Sequence, residues 1–267
     1  VTSVLRFLLA IFMVSMSIAT RAPARAGAFL LPEGQGQFIA GVGYSQGSRR
    51  FDPAGAAVPT PTFRKAEASG YIEYGLTPWL SLVAAPTLSH ANETSANSVT
   101  GSDSSAFGAR LRLFEKANTV MAVQALLQPP IGGESEASEI ADGGARAFAA
   151  DLRVLFGRSI NVFGLPAFVD VEPGARLRAA PFPTEARLDL TFGVRPVPRV
   201  LLLLQDFSAF AGSAGPLIQR CGYSKLQASV VYDLSRTWSV QAGGFWTVAG
   251  MNAIREMGPL AALWYRF

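Results

Sequence analysis

Ser89, His90 and Asp103 are the residue types of a hydrolytic relay: a nucleophile, a base and a group to orient the base. Such chemistry needs the imidazole at hydrogen-bond distance from the nucleophile and held there by the third group. Neighbours on an extended strand point to opposite faces, so Ser89 cannot partner His90 if this stretch is a strand. His90 is the only histidine and Cys221 the only cysteine. A lone thiol forms no intrachain disulfide, and the chain has no C-x-x-C, no histidine cluster and no Walker-type loop. The glycines at 34, 36, 41 and 43 follow no phosphate-binding spacing. No catalytic residue, metal site or cofactor is expected, and the chain is read as a non-enzyme. His90 reads as a solvated loop imidazole and Cys221 as a buried or rim thiol.

The chemistry that remains is charge laid out with period two. Lys65, Glu67, Tyr71 and Glu73 alternate with Ala66, Ala68, Gly70, Ile72 and Tyr74. Arg110 and Arg112 alternate with Phe107, Ala109, Leu111 and Leu113, and Asp151 and Arg153 with Phe148, Ala150, Leu152, Val154 and Phe156. Glu185, Arg187 and Asp189 oppose Ala186, Leu188, Leu190, Phe192 and Val194, the clearest alternation in the chain. Lys225 and Gln227 stand in a further such stretch. Side chains that alternate faces define strands. If the polar faces converge on a closed interior, these thirteen residues line a lumen, where wetted or paired charges cost little. Both signs occur in similar number, so strong ion selectivity is not expected. Opposite charges could face each other across a hydrated passage or lock together as a plug; long polar loops favour the passage.

About twelve strands are needed to hold these faces. Short turns are expected at residues 75–78, 115–119, 157–161, 196–199 and 233–236. Long connections lie between them, at 47–61, 90–104, 129–144, 211–222 and 250–258. Pro166 and Pro173 break ladder bonds, so the strand near 163–171 should be the least regular. Tyr74, Trp79, Phe156, Phe192, Tyr232, Trp238 and Phe267 gather at the short-turn ends, as an aromatic girdle would. The fold expected is all-β: a transmembrane, antiparallel, up-and-down β-barrel of about twelve strands with both termini periplasmic. A soluble sandwich would not need connections that alternate in length.

Composition agrees. Hydrophobic residues make up 49% and mean hydropathy is +0.27. Beyond Ala19 no apolar run approaches the roughly 18 residues of a spanning helix. Arg6, the apolar run 7–19 and Ala24-Arg-Ala26 have the form of a cleaved export signal. Residues 1–26 are therefore expected to be removed, leaving 27–267 as the barrel. Losing Arg6, Arg21 and Arg25 takes the net charge from +4 to 20 basic against 19 acidic residues, or +1. No nucleic-acid partner is indicated.

Leu263, Tyr265 and Phe267 share one face of the last strand, which ends on an aromatic. This ending resembles that of bacterial outer-membrane β-barrels. Residues 68–82 (ASGYIEYGLTPWLSL), 169–178 (VDVEPGARLR) and 186–196 (ARLDLTFGVRP) are similar to an outer-membrane channel family associated with meta-pathway phenol degradation. The resemblance implies passive uptake of small solutes, aromatic or hydrophobic ones among them, in the bacterial outer membrane. It also implies that Leu263, Tyr265 and Phe267 form a signal read by periplasmic chaperones and the barrel-assembly machinery. Outer-membrane lipid and lipopolysaccharide would surround the wall. The alternatives are a non-conducting structural or adhesive barrel and, last, a lipid-hydrolysing enzyme using Ser89 and His90.

Overall fold

A computed structural model describes residues 27–93, 99–101, 105–130, 147–214 and 218–267. Its strands are β1 (Gly36–Phe51), β2 (Ala57–Thr77), β3 (Leu80–Ala85), β4 (Thr87–Glu93) and β5 (Val99–Gly101). Then come β6 (Ala106–Lys116), β7 (Thr119–Gln128), β8 (Ala149–Val162), β9 (Leu165–Arg178) and β10 (Glu185–Val197). The series ends with β11 (Val200–Ala211), β12 (Cys221–Asp233), β13 (Trp238–Met251) and β14 (Met257–Arg266). β3 and β4 both pair with β2 and are one strand divided at Pro86, which has no N–H for the ladder. β5 pairs with β4 as β6 pairs with β3, so these two share a second path. The fourteen segments thus make twelve barrel strands. Each is antiparallel to its neighbours, and β1 pairs with both β2 and β14, which closes the sheet.

The short turns are tighter than the sequence suggests. β8 runs straight through residues 157–161 and turns only at Phe163 and Gly164, whose φ values are +50° and +81°. Two successive positive φ values give the primed hairpin turn that matches strand twist. Phe163 is wholly exposed there, which no polarity rule anticipates. The expected loop at 47–61 is mostly strand. Asp52 shortens it, because its carboxylate accepts from the amides of Ala54 (2.8 Å) and Ala56 (2.9 Å), and Gly55 supplies φ +84°. His90 likewise lies on β4, not in a loop, whereas most of the expected 129–144 loop is outside the described residues. β9 is continuous despite Pro166 and Pro173. Pro173 keeps its register with Leu188 on β10, while the ladder to β8 lapses between Gly174 and Val171.

One face of every strand meets lipid. Leu188, Leu190, Leu202, Leu204, Val230 and Val240 point outward and are exposed, because their solvent is acyl chain and not water. Tyr74, Trp79, Phe156, Tyr232, Trp238 and Phe267 are exposed near the short-turn end. This closed, twelve-stranded barrel with an apolar exterior is the architecture of the bacterial outer membrane, and that is the membrane the chain is built for.

Candidate channel lumen

The inward residues of β8, β9 and β10 form one ion-paired belt. Asp151, only 1% exposed, accepts from Arg153 Nε at 2.7 Å. Arg176 Nη2 lies 3.3 Å and Arg187 Nε 3.9 Å from its other oxygen. Arg153 also reaches Asp189 and, at 3.6 Å, Glu172. Glu185 joins Arg187 to Arg178. Antiparallel register with period-two alternation brings these groups level: Asp151 is opposite Arg176, and Arg176 opposite Glu185. Charge-assisted bonds of this kind are the strong ones, and a buried charge needs them.

A second group continues across β2, β6 and β7. Arg110 donates to both Gln124 Oε1 (2.9 Å from Nη2) and Tyr71 Oη (3.2 Å), and lies 3.3 Å from Glu73. Tyr71 donates to Glu73 at 2.8 Å. Lys65 pairs with Glu67 at 3.1 Å. Arg112 sits at the short-turn rim, bonded to Glu115 and to the carbonyl of Pro78. Lys225 leaves the belt and pairs with Glu256, which also accepts from Ser45 at 2.6 Å. Gln227 donates to Gln205 at 3.0 Å, and Gln205 to Thr191 at 3.2 Å. All thirteen lumen candidates thus have inward or rim positions. The sequence did not single out Asp170, Glu172, Arg176 and Arg178, because the prolines of β9 obscured its alternation.

Apart from Lys225–Glu256 and an ion-paired group at the short-turn end, where Asp233 meets Arg195 (2.9 Å) and Arg266 (3.6 Å), the rest of the lumen wall is neutral. Ile39, Gly41 and Gly43 of β1, Gly243 and Phe245 of β13, and Leu260 and Ala262 of β14 point inward and are half-buried. The charged half is packed shut by comparison: Arg110, Glu73, Asp170 and Glu185 are all buried. Accessible lumen surface therefore lies on the neutral side.

Residues 27–35 enter the lumen from the short-turn end. Phe29 packs against inward Phe168, Leu201, Leu203 and Val231, and also against Val120, Ala122 and Leu155 beside Ala28 and Leu30. The amide of Ala28 donates to Asp170 at 3.0 Å, and the carbonyl of Gly27 accepts from Arg110. Where the segment crosses the wall, Gly75 N donates to Gln35 O and Gly34 N to Gly75 O, both at 2.9 Å. Any side chain at Gly75 would overlap the backbone of Leu31 and Pro32. The sequence held a sign of this: Val200–Leu204 is apolar on both faces where an aqueous lumen asks for polar residues.

The seam is made by the first and last strands. Gly36 N donates to Phe267 O (2.8 Å) and Phe267 N to Gly36 O (3.0 Å). The Phe267 ring lies over Gly36, in space a Cβ would fill. Tyr265 stacks between Trp238 and Phe267 at centroid distances of 4.6 and 5.6 Å, with Leu263 outward on the same face. Deleting Phe267, or Phe267→Lys, should leave protease-sensitive, unfolded chain in the periplasm. Normal heat-modifiable migration of the deletion would contradict a signal at this strand.

Ser89 is buried and inward on β4, and His90 is exposed on the opposite face; Asp103 is outside the described residues. The two side chains diverge as alternation requires, and among the described residues no cluster could hold a metal ion.

No family model matches this sequence, and no curated protein matches it. Solved structures do share the fold. An outer-membrane channel from Pseudomonas putida F1 aligns over 91% of this chain and 99% of its own, with TM-score 0.71 and 14% identity. The translocator domain of the autotransporter NalP from Neisseria meningitidis aligns over 90% and 91%, with TM-score 0.52 and 12% identity. At these identities the likeness is one of fold, and the fold that this chain shares with both is the outer-membrane β-barrel.

Proposed function

We propose that this barrel is a channel for passive uptake of small solutes, aromatic or hydrophobic ones among them. The observation that carries the proposal is the division of the lumen. Charges are drawn together and buried over β8–β10, and the wall opposite, between the paired charges of Lys225–Glu256 and Asp233–Arg266, is glycine, alanine, leucine, phenylalanine and amide. A solute with an apolar body can slide along the neutral wall while its polar group meets Gln205, Gln227 or Gln241. A bare ion finds few free charges there, so conductance should be small and weakly selective. The resemblance to a channel family linked to phenol degradation supports the same solute class.

Residues 27–35 narrow the short-turn end, and that favours a second reading, a structural barrel that passes nothing. Liposome swelling with small aromatic alcohols and with pentoses of similar mass separates the two. The channel should admit the aromatic solutes faster. Equal exclusion of both, with no current in planar bilayers, would support the structural barrel. Deleting residues 27–31 removes Phe29 from its apolar pocket and should raise single-channel conductance severalfold without unfolding the wall. An unchanged conductance would show that this segment does not limit passage. His90→Ala should alter neither swelling nor current. Lipid hydrolysis that disappears in this variant would point instead to an enzyme.

A further inference from the structure

The outward wall carries a feature that solute passage does not use. An apolar groove of about 580 Å³ opens on the lipid face of β1, β13 and β14, lined by Tyr44, Gln46, Gly244, Trp246, Met257 and Pro259. Its floor exists because Gly244 stands directly opposite Pro259, so two neighbouring outward positions carry little or no side chain. Register sets a row of residues across its upper edge: Arg64 opposite Gln46, Gln46 opposite Met257, and Met257 opposite Trp246. Arg255 lies two residues beyond Met257 on the same outward parity. Arg64 and Arg255 are exposed, and among the described residues neither guanidinium has a carboxylate partner. The lumenal arginines Arg110, Arg153, Arg176, Arg178 and Arg187 each have one.

Height gives this pair a role. Gln46 is ten residues along β1 from Gly36 at the short-turn end. With strands tilted roughly 40°, that places Arg64 roughly 25 Å up, at the far edge of the apolar band, and Arg255 roughly 5 Å beyond it. Headgroup phosphates lie at that level, and guanidinium is the side chain suited to them. Arg64 on β2 and Arg255, which leads into β14, flank β1 with an offset of two residues along it, a spacing of roughly 12 Å. A single glycerol phosphate does not bridge that distance, whereas a headgroup with a phosphate at each end does.

We propose that the groove and its two arginines bind the lipid A part of lipopolysaccharide. One acyl chain lies over Gly244 and Pro259 between Tyr44 and Trp246, and the two phosphates sit on Arg64 and Arg255. The assignment rests on the reading that the long-loop end faces outward.

Native mass spectrometry of the purified barrel in micelles, with bis-phosphorylated lipid A, monophosphoryl lipid A and phosphatidylglycerol as probes, tests it. The bis-phosphorylated form should be retained most strongly. Arg64→Gln/Arg255→Gln should bind it at least about tenfold more weakly. Arg199→Gln/Arg236→Gln, a charge-matched change at the opposite rim, should bind as the parent does. Gly244→Trp fills the groove and should also lose the lipid; the arginine double variant is at exposed positions and carries the test if Gly244→Trp does not fold. Phosphatidylglycerol held as tightly as lipid A, or equal loss in both arginine pairs, would overturn the site. Maleimide labelling of Ser48→Cys in a Cys221→Ser background reports orientation separately. Labelling of intact cells supports the outward reading. Labelling only after lysis would put the groove in the phospholipid leaflet and overturn lipid A as its occupant, whatever the micelles show.

Discussion

Asp151→Ala should destabilise the barrel by about 3–5 kcal/mol, the cost of leaving a buried charge without its partner. Asp151 is the acid to which Arg153, Arg176 and Arg187 all turn. Arg153 keeps Asp189 and Glu172 when it goes, and Arg187 keeps Glu185. Arg176 is the group left stranded, because Asp151 is its only ion-pair partner among the described residues. The sign of a second change follows. Asp151→Ala combined with Arg176→Met removes both charges and should recover most of the loss, since exchanging a whole buried pair for apolar groups is often neutral. Urea midpoints in micelles, followed by heat-modifiable migration, measure both. A single variant as stable as the parent would mean that water enters the belt and screens it.

The second large effect separates the two faces of one strand. Ala228→Arg puts a guanidinium on the lipid side near mid-depth of β12, opposite Leu204 and Gly244 and with only Leu226 and Val230 two residues along the same face. Such a change costs about 2–4 kcal/mol at the midplane. Its neighbour Gln227 is inward, bonded to Gln205, so Gln227→Arg should refold well. The added positive charge on the neutral wall should also shift reversal potentials towards anions. Equal destabilisation of the two variants would refute the face assignment. Leu190 and Thr191 look like the equivalent pair by alternation alone, but Leu190 stands opposite Asp206. That outward carboxylate already accepts from Ser208 and Ser224, and an arginine at 190 would find it. The lipid penalty would then be partly hidden.

This difference marks what sequence can and cannot carry. β10 was legible because its hydrophobic and polar residues obey one period over its whole length, and the fold demands the same period. β9 was not, since Pro166 and Pro173 signal breaks that the sheet absorbs by dropping ladder bonds on one side only. Asp170, Glu172, Arg176 and Arg178 went unnoticed with it. Alternation assigns a face but not a neighbour, so it could place Arg153 and Asp189 inward without showing that they meet. It was equally silent on Phe29. Leu201, Leu203 and Val231 broke the expected polarity of the lumen, and the residue they receive is about 170 or more positions away in the chain.

The bond between Gly36 and Phe267 imposes a timetable. It joins strands at opposite ends of the sequence, so the loop that must close to form it is almost the whole domain, and ring closure of that span is slow. Until the final strand arrives, β1 offers β2 one edge and leaves its other row of amides and carbonyls unpaired. Unpaired edges invite wrong partners, and the outward side chains here are apolar. Residues 27–35 are tied to the same corner, since Gly75 bonds Gly34 and Gln35 beside the Gly36–Phe267 pair. A chain delayed before the last strand pairs should therefore be the species most prone to aggregate.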